Sequence, residues 1–354
     1  MTTNPSPELW SPTEPASEIA PGFWRLPMPI PGHTLGGVCA FLVRDHDGYA
    51  LIDSGIDIPS CVEALEEHLA LLHVPISAIH TIVATHCHPD HLGQASRLRA
   101  RSSARVWLHH LDAPLVHPMH PTGDADLPAL VGWLTRYGFP PDEAEQGRQA
   151  VDTAQGETYL LEPDRLLEGG ETFHVGPYRF EVVWTPGHTP GHVCLFESTR
   201  RLVLTGDHLF AKAAPNVRLM SYSPIDTMGR YVESLKRVAE LSAERALPAH
   251  GEPFGQVAER AGEVVRHQLE RRERLRGMMT DRPQTAYQLA QVVWGPGART
   301  TWDTFHGRLR RNAALTLAAH LEQLALDGEI ARHDEDGVVA FTRPSSPRVP
   351  PSSG

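Results

Sequence analysis

Residues 83–98 read VATHCHPDHLGQASRL, with three histidines and an aspartate inside six positions, directly after the apolar run Thr81 to Ala84. His86 and His88 alternate, which on an extended loop puts both side chains on one face. Asp90 and His91 follow where the next helix begins. Neutral imidazole and carboxylate are borderline-to-hard ligands that suit zinc, with manganese or iron as alternatives. No matched thiolate pair accompanies them, which argues against a structural zinc finger. Cys87 is expected to point the other way, into packing.

Three later positions share one profile: a lone polar residue at the end of an apolar strand, flanked by Gly or Pro. They are His188 in TPGHTPGH, Asp207 in LTGD and His250 in LPAHG. Asp53 ends the strand ALID in the same manner. In α/β folds the loops at strand ends are where sites are built, and glycine there lets backbone approach closely.

The ordered set LIDSG, THCHPDH, TPGHTPGH, LTGD and PAHG resembles the metallo-β-lactamase superfamily, over roughly residues 21–260. Five ordered motifs are far more specific than a lone HxH. The resemblance implies an α/β fold: an αββα sandwich of two mixed sheets packed face to face, with helices outside. It also implies a centre of two divalent metals, with His86, His88 and His188 on one, Asp90, His91 and His250 on the other, and Asp207 bridging. Asp53 would support a ligand from behind. Two such ions lower the pKa of a shared water toward about 7 and stabilise the attacking and leaving oxygens, so hydrolysis is the natural reaction. Asp90 is the expected catalytic residue, holding its metal and accepting the proton of the attacking water.

The 354 residues suit one large domain with a smaller companion, and 41% hydrophobic with 21% charged residues is near the globular average. A net charge of −11 argues against non-specific coating of nucleic acid, which rests on Lys and Arg neutralising phosphates. No run of eighteen apolar residues occurs, and MTTNPSPELWSPTEPASEIAPG has neither a basic nor a hydrophobic leader region. Four cysteines without CxxC spacing fit a reducing cytoplasm rather than a disulfide framework. No membrane association is expected.

Residues 1–20 and 344–354, rich in Pro and Ser, read as flexible ends. From about residue 37 the chain alternates strand and helix, a βαβ rhythm with buried strands. Between 112 and 165 the rhythm breaks into LPALVGWLTRYG and PPDEAEQGRQAVDTA, two helices of an inserted cap. Strands then resume to residue 260. From 261 to 343 a charged helix, two further helices and the ribbon EIARHDEDGVVAFTR, turned at Asp336-Gly337, suggest a small winged-helix-like domain.

Not every histidine among the 21 belongs to a site. His192 and His208 are expected to support ligands by hydrogen bonds or to pack. His33 lies in a glycine-flanked loop before the first strand, where a histidine is expected to be merely exposed, with reach to the site mouth as the alternative. His109, His110, His117 and His120 read as surface loop, with HPMHP leading toward the cap.

In the cap, Leu127, Leu130, Trp133, Leu134, Tyr137 and Phe139 offer apolar surface for an acyl chain or ring, or plain packing. A small-molecule acyl substrate with an ester, thioester or lactone bond is the expectation. The alternative is an endoribonuclease, because the appended module resembles a winged-helix subgroup that holds both. An iron-dependent sulfur dioxygenase is a third class, against which His250 speaks. Residues 262–343 carry 12 arginines against 11 acids, and the ribbon tip HDEDG is acidic, which favours packing or a homodimer over nucleic-acid reading.

Overall fold

The computed structural model describes residue 10 and residues 12–117, 127–152, 161–296, 298 and 301–344. Seven strands come first: β1 (Ser17–Ala20), β2 (Phe23–Pro29), β3 (Gly37–Arg44), β4 (Tyr49–Ile52), β5 (Ile79–Val83), β6 (Arg105–His109) and β7 (Arg165–Leu167). Helices α1 (Pro59–Leu71), α2 (Pro89–Leu92), α3 (Ala95–Ser102), α4 (Leu127–Arg136) and α5 (Pro141–Asp152) lie between them in the chain. Strands β8 (Thr172–Val175), β9 (Tyr178–Trp184), β10 (Val193–Glu197) and β11 (Leu202–Gly206) precede α6 (Thr227–Glu240), then β12 (Arg245–Pro248) and β13 (Phe254–Gly255). The chain closes with α7 (Val257–Met278), α8 (Ala286–Val293), α9 (Gly307–Leu326), β14 (Ala331–Glu335) and β15 (Val338–Thr342).

Strands β1 to β7 form one sheet in chain order, and β13-β12-β11-β10-β9-β8 form a second. Both are mixed. In the first sheet β2, β3 and β4 pair antiparallel, whereas β4, β5, β6 and β7 run parallel. In the second only β11 and β12 are parallel.

The inner faces are read directly from alternation. Cys39, Phe41 and Val43 of β3, Tyr178, Phe180 and Val182 of β9, Val193 and Leu195 of β10, and Leu202 and Leu204 of β11 build one buried core cluster. Phe23 meets Phe41, Tyr178 and Phe180 edge-on, with ring centroids 5.3–6.2 Å apart. Each such side chain removed from water contributes on the order of 1.5–3 kcal/mol, enough to hold the sheets face to face. This is the α/β sandwich of two mixed sheets that the sequence resemblance implied.

Two differences from the sequence reading concern packing. Ser17–Ala20, assigned above to a flexible end, pairs with β2 as an edge strand. The turn between them is made by Pro21 and Gly22, with Gly22 at φ +76°, a conformation glycine adopts without strain.

The second difference is in how the chain divides. One compact unit comprises residues 1–122, 155–215 and 234–262, and the other comprises 123–154, 216–233 and 263–354. The inserted helices α4 and α5, placed above with the catalytic domain, thus group with the C-terminal helices and ribbon. Arg310 of α9 pairs with Glu143 of α5 at 3.0 Å, and Tyr137 donates to the buried Glu322 of α9 at 2.8 Å. Gly138 sits where an added Cβ would lie 2.1 Å from the Thr285 hydroxyl. Contacts of this kind link residues 147 to 185 positions apart and leave no local periodicity to read.

Within this second unit, Thr285 caps α8 in a reciprocal capping box with Gln288. Asp336 and Gly337 take positive φ of 51° and 81°, the turn that an Asp-Gly ribbon requires. Gln284 bridges to Phe341 beside β15. Leu130, Leu134, Tyr137 and Phe139 are buried as packing, while Trp133 is half-buried and donates its indole N–H to the Leu219 carbonyl at 2.8 Å. The side chain of Leu127, His120 and most of HPMHP fall outside the described residues. Among the described residues no helix is long and apolar enough to cross a membrane.

Candidate metal centre

The site forms at the carboxyl ends of the parallel strands β4 and β5 in one sheet and β11 and β12 in the other. Asp53 follows β4, His86 to His91 follow β5, Asp207 follows β11 and His250 follows β12. His188 comes from the turn between β9 and β10. All seven residues that the sequence singled out as ligands converge here, in three overlapping groups: His86, His88 and His188; His86, His91 and Asp207; Asp90, His91 and His250.

The first group is a tight set of nitrogens. His88 Nδ1 lies 3.0 Å from His86 Nε2 and 2.9 Å from His188 Nε2. Burial, then the neighbouring imidazoles of His91, His88 and His188, hold His86 well below the usual histidine range. It is therefore neutral at ordinary pH, the state in which imidazole is a ligand.

The second group is mixed. His250 Nε2 is 3.3 Å from Asp90 Oδ2 and 3.2 Å from Asp207 Oδ1, and His91 Nε2 is 3.8 Å and 3.4 Å from the same two oxygens. Burial opposes a proton on His91, yet Asp207, Asp53 and Asp90 outweigh it and raise His91 well above its ordinary range. The same contest, burial against Asp207 and Asp90, lifts His250 to about 10. Burial would raise the Asp207 and Asp90 carboxyls, but the facing histidines overcome it and both stay low.

Outer partners fix the orientation of each ring. Asp53 Oδ2 accepts from His91 Nδ1 at 2.8 Å, and the carboxylate also takes Thr85 N at 2.7 Å and Thr85 Oγ1 at 2.9 Å. Asp53 itself is held at φ 57°, a strained conformation for a residue with a side chain. His250 Nδ1 meets the Gly37 carbonyl at 2.5 Å, which leaves its Nε2 toward the centre. His192 is buried, with Nδ1 2.9 Å from Thr185 Oγ1, and its Nε2 accepts the backbone N–H of Asp207 at 3.1 Å. It therefore supports the Asp207 loop, and His208 is packed in the interior. His33 stacks on His250 with ring centroids 5.3 Å apart, at the rim of the centre.

Sequence reading missed Asp112. It is fully buried just past β6, accepting Cys87 N at 3.0 Å and Thr189 Oγ1 at 2.7 Å on Oδ2, and Gly191 N at 2.6 Å on Oδ1. Its signal was the one used for the others, a lone acid just after an apolar strand, masked by the adjacent His109 and His110. Cys87, buried as expected, is tied to Asp112 through its backbone.

The donor set fits divalent cations. His91 Nε2 and Asp207 Oδ1 are buried without a hydrogen bond among the described residues. Metal–ligand bonds of about 2.0–2.1 Å in a tetrahedral array put neighbouring ligand atoms about 3.3 Å apart, close to the spacings found here. A cation at the second group would take over charge now balanced by protons on His91 and His250.

Residues 33–250 match the family model of the metallo-beta-lactamase superfamily, and the chain belongs to that superfamily. It is 26% identical over 329 residues to the probable metallo-hydrolase YqjP of Bacillus subtilis, covering 90% of this chain and 96% of that protein. It is 28% identical over 234 residues to the acyl-coenzyme A thioesterase MBLAC2 of Homo sapiens, covering 61% of this chain and 73% of that protein. A crystal structure of a metallo-beta-lactamase family protein from Thermus thermophilus superposes with a TM-score of 0.77 at 29% identity, covering 92% of this chain and all of that one.

Proposed function

We propose that this chain is a binuclear metal-dependent hydrolase of small-molecule acyl compounds, with thioesters the first substrates to test and esters and lactones next. The observation that carries the reading is the position of Asp207, which faces both groups. Its Oδ2 lies 3.4 Å from His188 Nε2 and its Oδ1 lies 3.2 Å from His250 Nε2. In this reading His86, His88 and His188 hold one cation, Asp90, His91 and His250 hold the other, and Asp207 bridges them. Imidazole and carboxylate together favour zinc, and manganese or iron fits the same donors.

Two such cations, when bound, supply a hydroxide near neutral pH and stabilise negative charge on the acyl oxygen. The chain's residues do the rest. The Asp90 side chain is 20% exposed whereas His91 is fully buried, so Asp90 faces the open side and accepts the proton of the attacking water. Asp53 and the Gly37 carbonyl hold His91 and His250 with Nε2 inward. The likeness to the human acyl-coenzyme A thioesterase supports the thioester.

We read α8, α9 and the β14–β15 ribbon as a winged-helix-like module with a structural or dimer-forming role. Arg310 pairs with Glu143 and lies over the Trp302 ring at 5.5 Å, and Arg311 is buried. At the ribbon, Asp334 holds Arg136 at 2.5 Å. Arg310 and Arg311, two of the three cations at the start of α9, are thus engaged inside the module, which favours the small-molecule reading over an endoribonuclease. The second group, complete with His250, favours hydrolysis over a single-iron sulfur dioxygenase.

The test is a panel of acyl-coenzyme A thioesters, oxygen esters, lactones and a structured RNA, offered to zinc-loaded protein. Turnover of thioesters above the other classes is expected. Cleavage of the RNA with inert acyl substrates would replace this reading with the endoribonuclease.

A further inference from the structure

We propose that Asp112 is the positioning residue of the three-histidine site, clamping its two loops together and supplying the negative charge which that site lacks among its own ligands. The inference rests on the binuclear reading above. The two ligand groups are unequal: Asp90 serves only the mixed one, so apart from the shared Asp207 the three-histidine group is built from neutral imidazoles.

Asp112 makes up the difference from one step away. Its Oδ2 accepts the backbone N–H of Cys87, the residue between His86 and His88, at 3.0 Å. The same oxygen accepts the hydroxyl of Thr189, next to His188, at 2.7 Å, and Oδ1 accepts Gly191 N at 2.6 Å. The Cys87 thiol is a further partner. One buried carboxylate thus bonds to both loops that carry the three nitrogens, which come from positions 100 residues apart in the chain.

Gly191 gives an independent sign that the approach is built in. A Cβ there would lie 2.7 Å from both the backbone nitrogen and Oδ1 of Asp112, so no side chain fits. The second glycine of TPGHTPGH, which ligation does not explain, is thereby accounted for. The Cys87, Thr189 and Gly191 hydrogen bonds to the carboxylate all come from the ligand-bearing loops. Burial raises the Asp112 carboxyl above its ordinary range, while the donors of these loops work against that and favour the anion, which in turn favours a cation among the neighbouring imidazoles. Partners of ligands placed in this way commonly tune metal affinity by about 10–100-fold.

The test titrates metal-free full-length protein with Co2+, following its visible absorption. In a His250→Ala background only the three-histidine group is complete, and in a His188→Ala background only the Asp90, His91 and His250 group is. Asp112→Asn is expected to weaken Co2+ binding at least about 10-fold in the first background and less than about 3-fold in the second. Thr189→Val keeps the carboxylate and removes one bond to it, so it should weaken the same site by a smaller factor; it carries the test if Asp112→Asn does not fold. Equal losses in both backgrounds, or none, would overturn the inference while leaving the binuclear reading intact. An otherwise unaltered chain that binds fewer than two Co2+ would overturn that reading, and the inference with it.

Discussion

Asp53 Oδ2 lies 2.8 Å from His91 Nδ1, and this one bond determines which nitrogen of His91 faces the centre. Both residues are fully buried, so neither ring nor carboxylate has water as an alternative partner. The first prediction follows from it. Asp53→Asn tolerates the positive φ of this position but brings an amide that cannot accept all three present donors. Metal affinity measured by chelator competition should fall about 10–100-fold with the fold preserved. Unchanged affinity would mean that His91 is oriented by something else.

Gly206 precedes Asp207 at φ +47°, and a Cβ there would lie 2.7 Å from His192 Nε2 and 2.9 Å from Thr85 Oγ1. Gly206→Ala is therefore expected to destabilise the protein by about 1–3 kcal/mol and to weaken metal binding, because His192 and Thr85 each support the site. A thermal melt and a metal titration check the two effects, and a melt unchanged from the parent protein would contradict the steric argument.

In the second unit, Arg332 Nε lies 3.0 and 2.9 Å from the two carboxylate oxygens of the buried Glu322. Arg332→Met leaves that carboxylate without its cation and should cost about 2–4 kcal/mol. The double variant Arg332→Met, Glu322→Leu should recover most of the loss in urea unfolding. A double variant as unstable as the single one would show that packing, not charge, is responsible.

His320 of α9 is buried, and burial, followed by Arg271 and Arg272, pushes its pKa down to about 3. The folded chain keeps it neutral, while the unfolded chain protonates it below an ordinary value of about 6.5. Its contribution to stability is full above about pH 6.5 and is lost as the pH falls from there toward 3. His320→Leu should remove this part of the acid sensitivity, worth roughly 2 kcal/mol at pH 5. Parallel stability curves from pH 7 to pH 4 for parent and variant would contradict it.

The residues that converge at the centre were legible because they either crowd into HCHPDH or stand alone at the end of an apolar strand, signals carried by a few neighbouring letters. Asp112 gives the same signal, but its partners lie 25, 77 and 79 residues away, and nothing in the chain connects them. The sandwich was legible from alternation in β3, β9, β10 and β11. Strand β1 was not, because its four residues are largely exposed and its pairing is set by the Gly22 turn. The grouping of α4 and α5 with the C-terminal helices was also hidden. It depends on Glu143 with Arg310 and Tyr137 with Glu322, contacts that periodicity does not encode.

The central claim is that one carboxylate, Asp207, joins two metal positions. Elemental analysis of protein purified without chelator, compared with its Asp207→Ala variant, tests it most directly. The account predicts close to two divalent metals per chain, with metal and hydrolytic activity lost together in the variant. A single tightly bound iron in the parent protein, or a variant that keeps both metals, would contradict it.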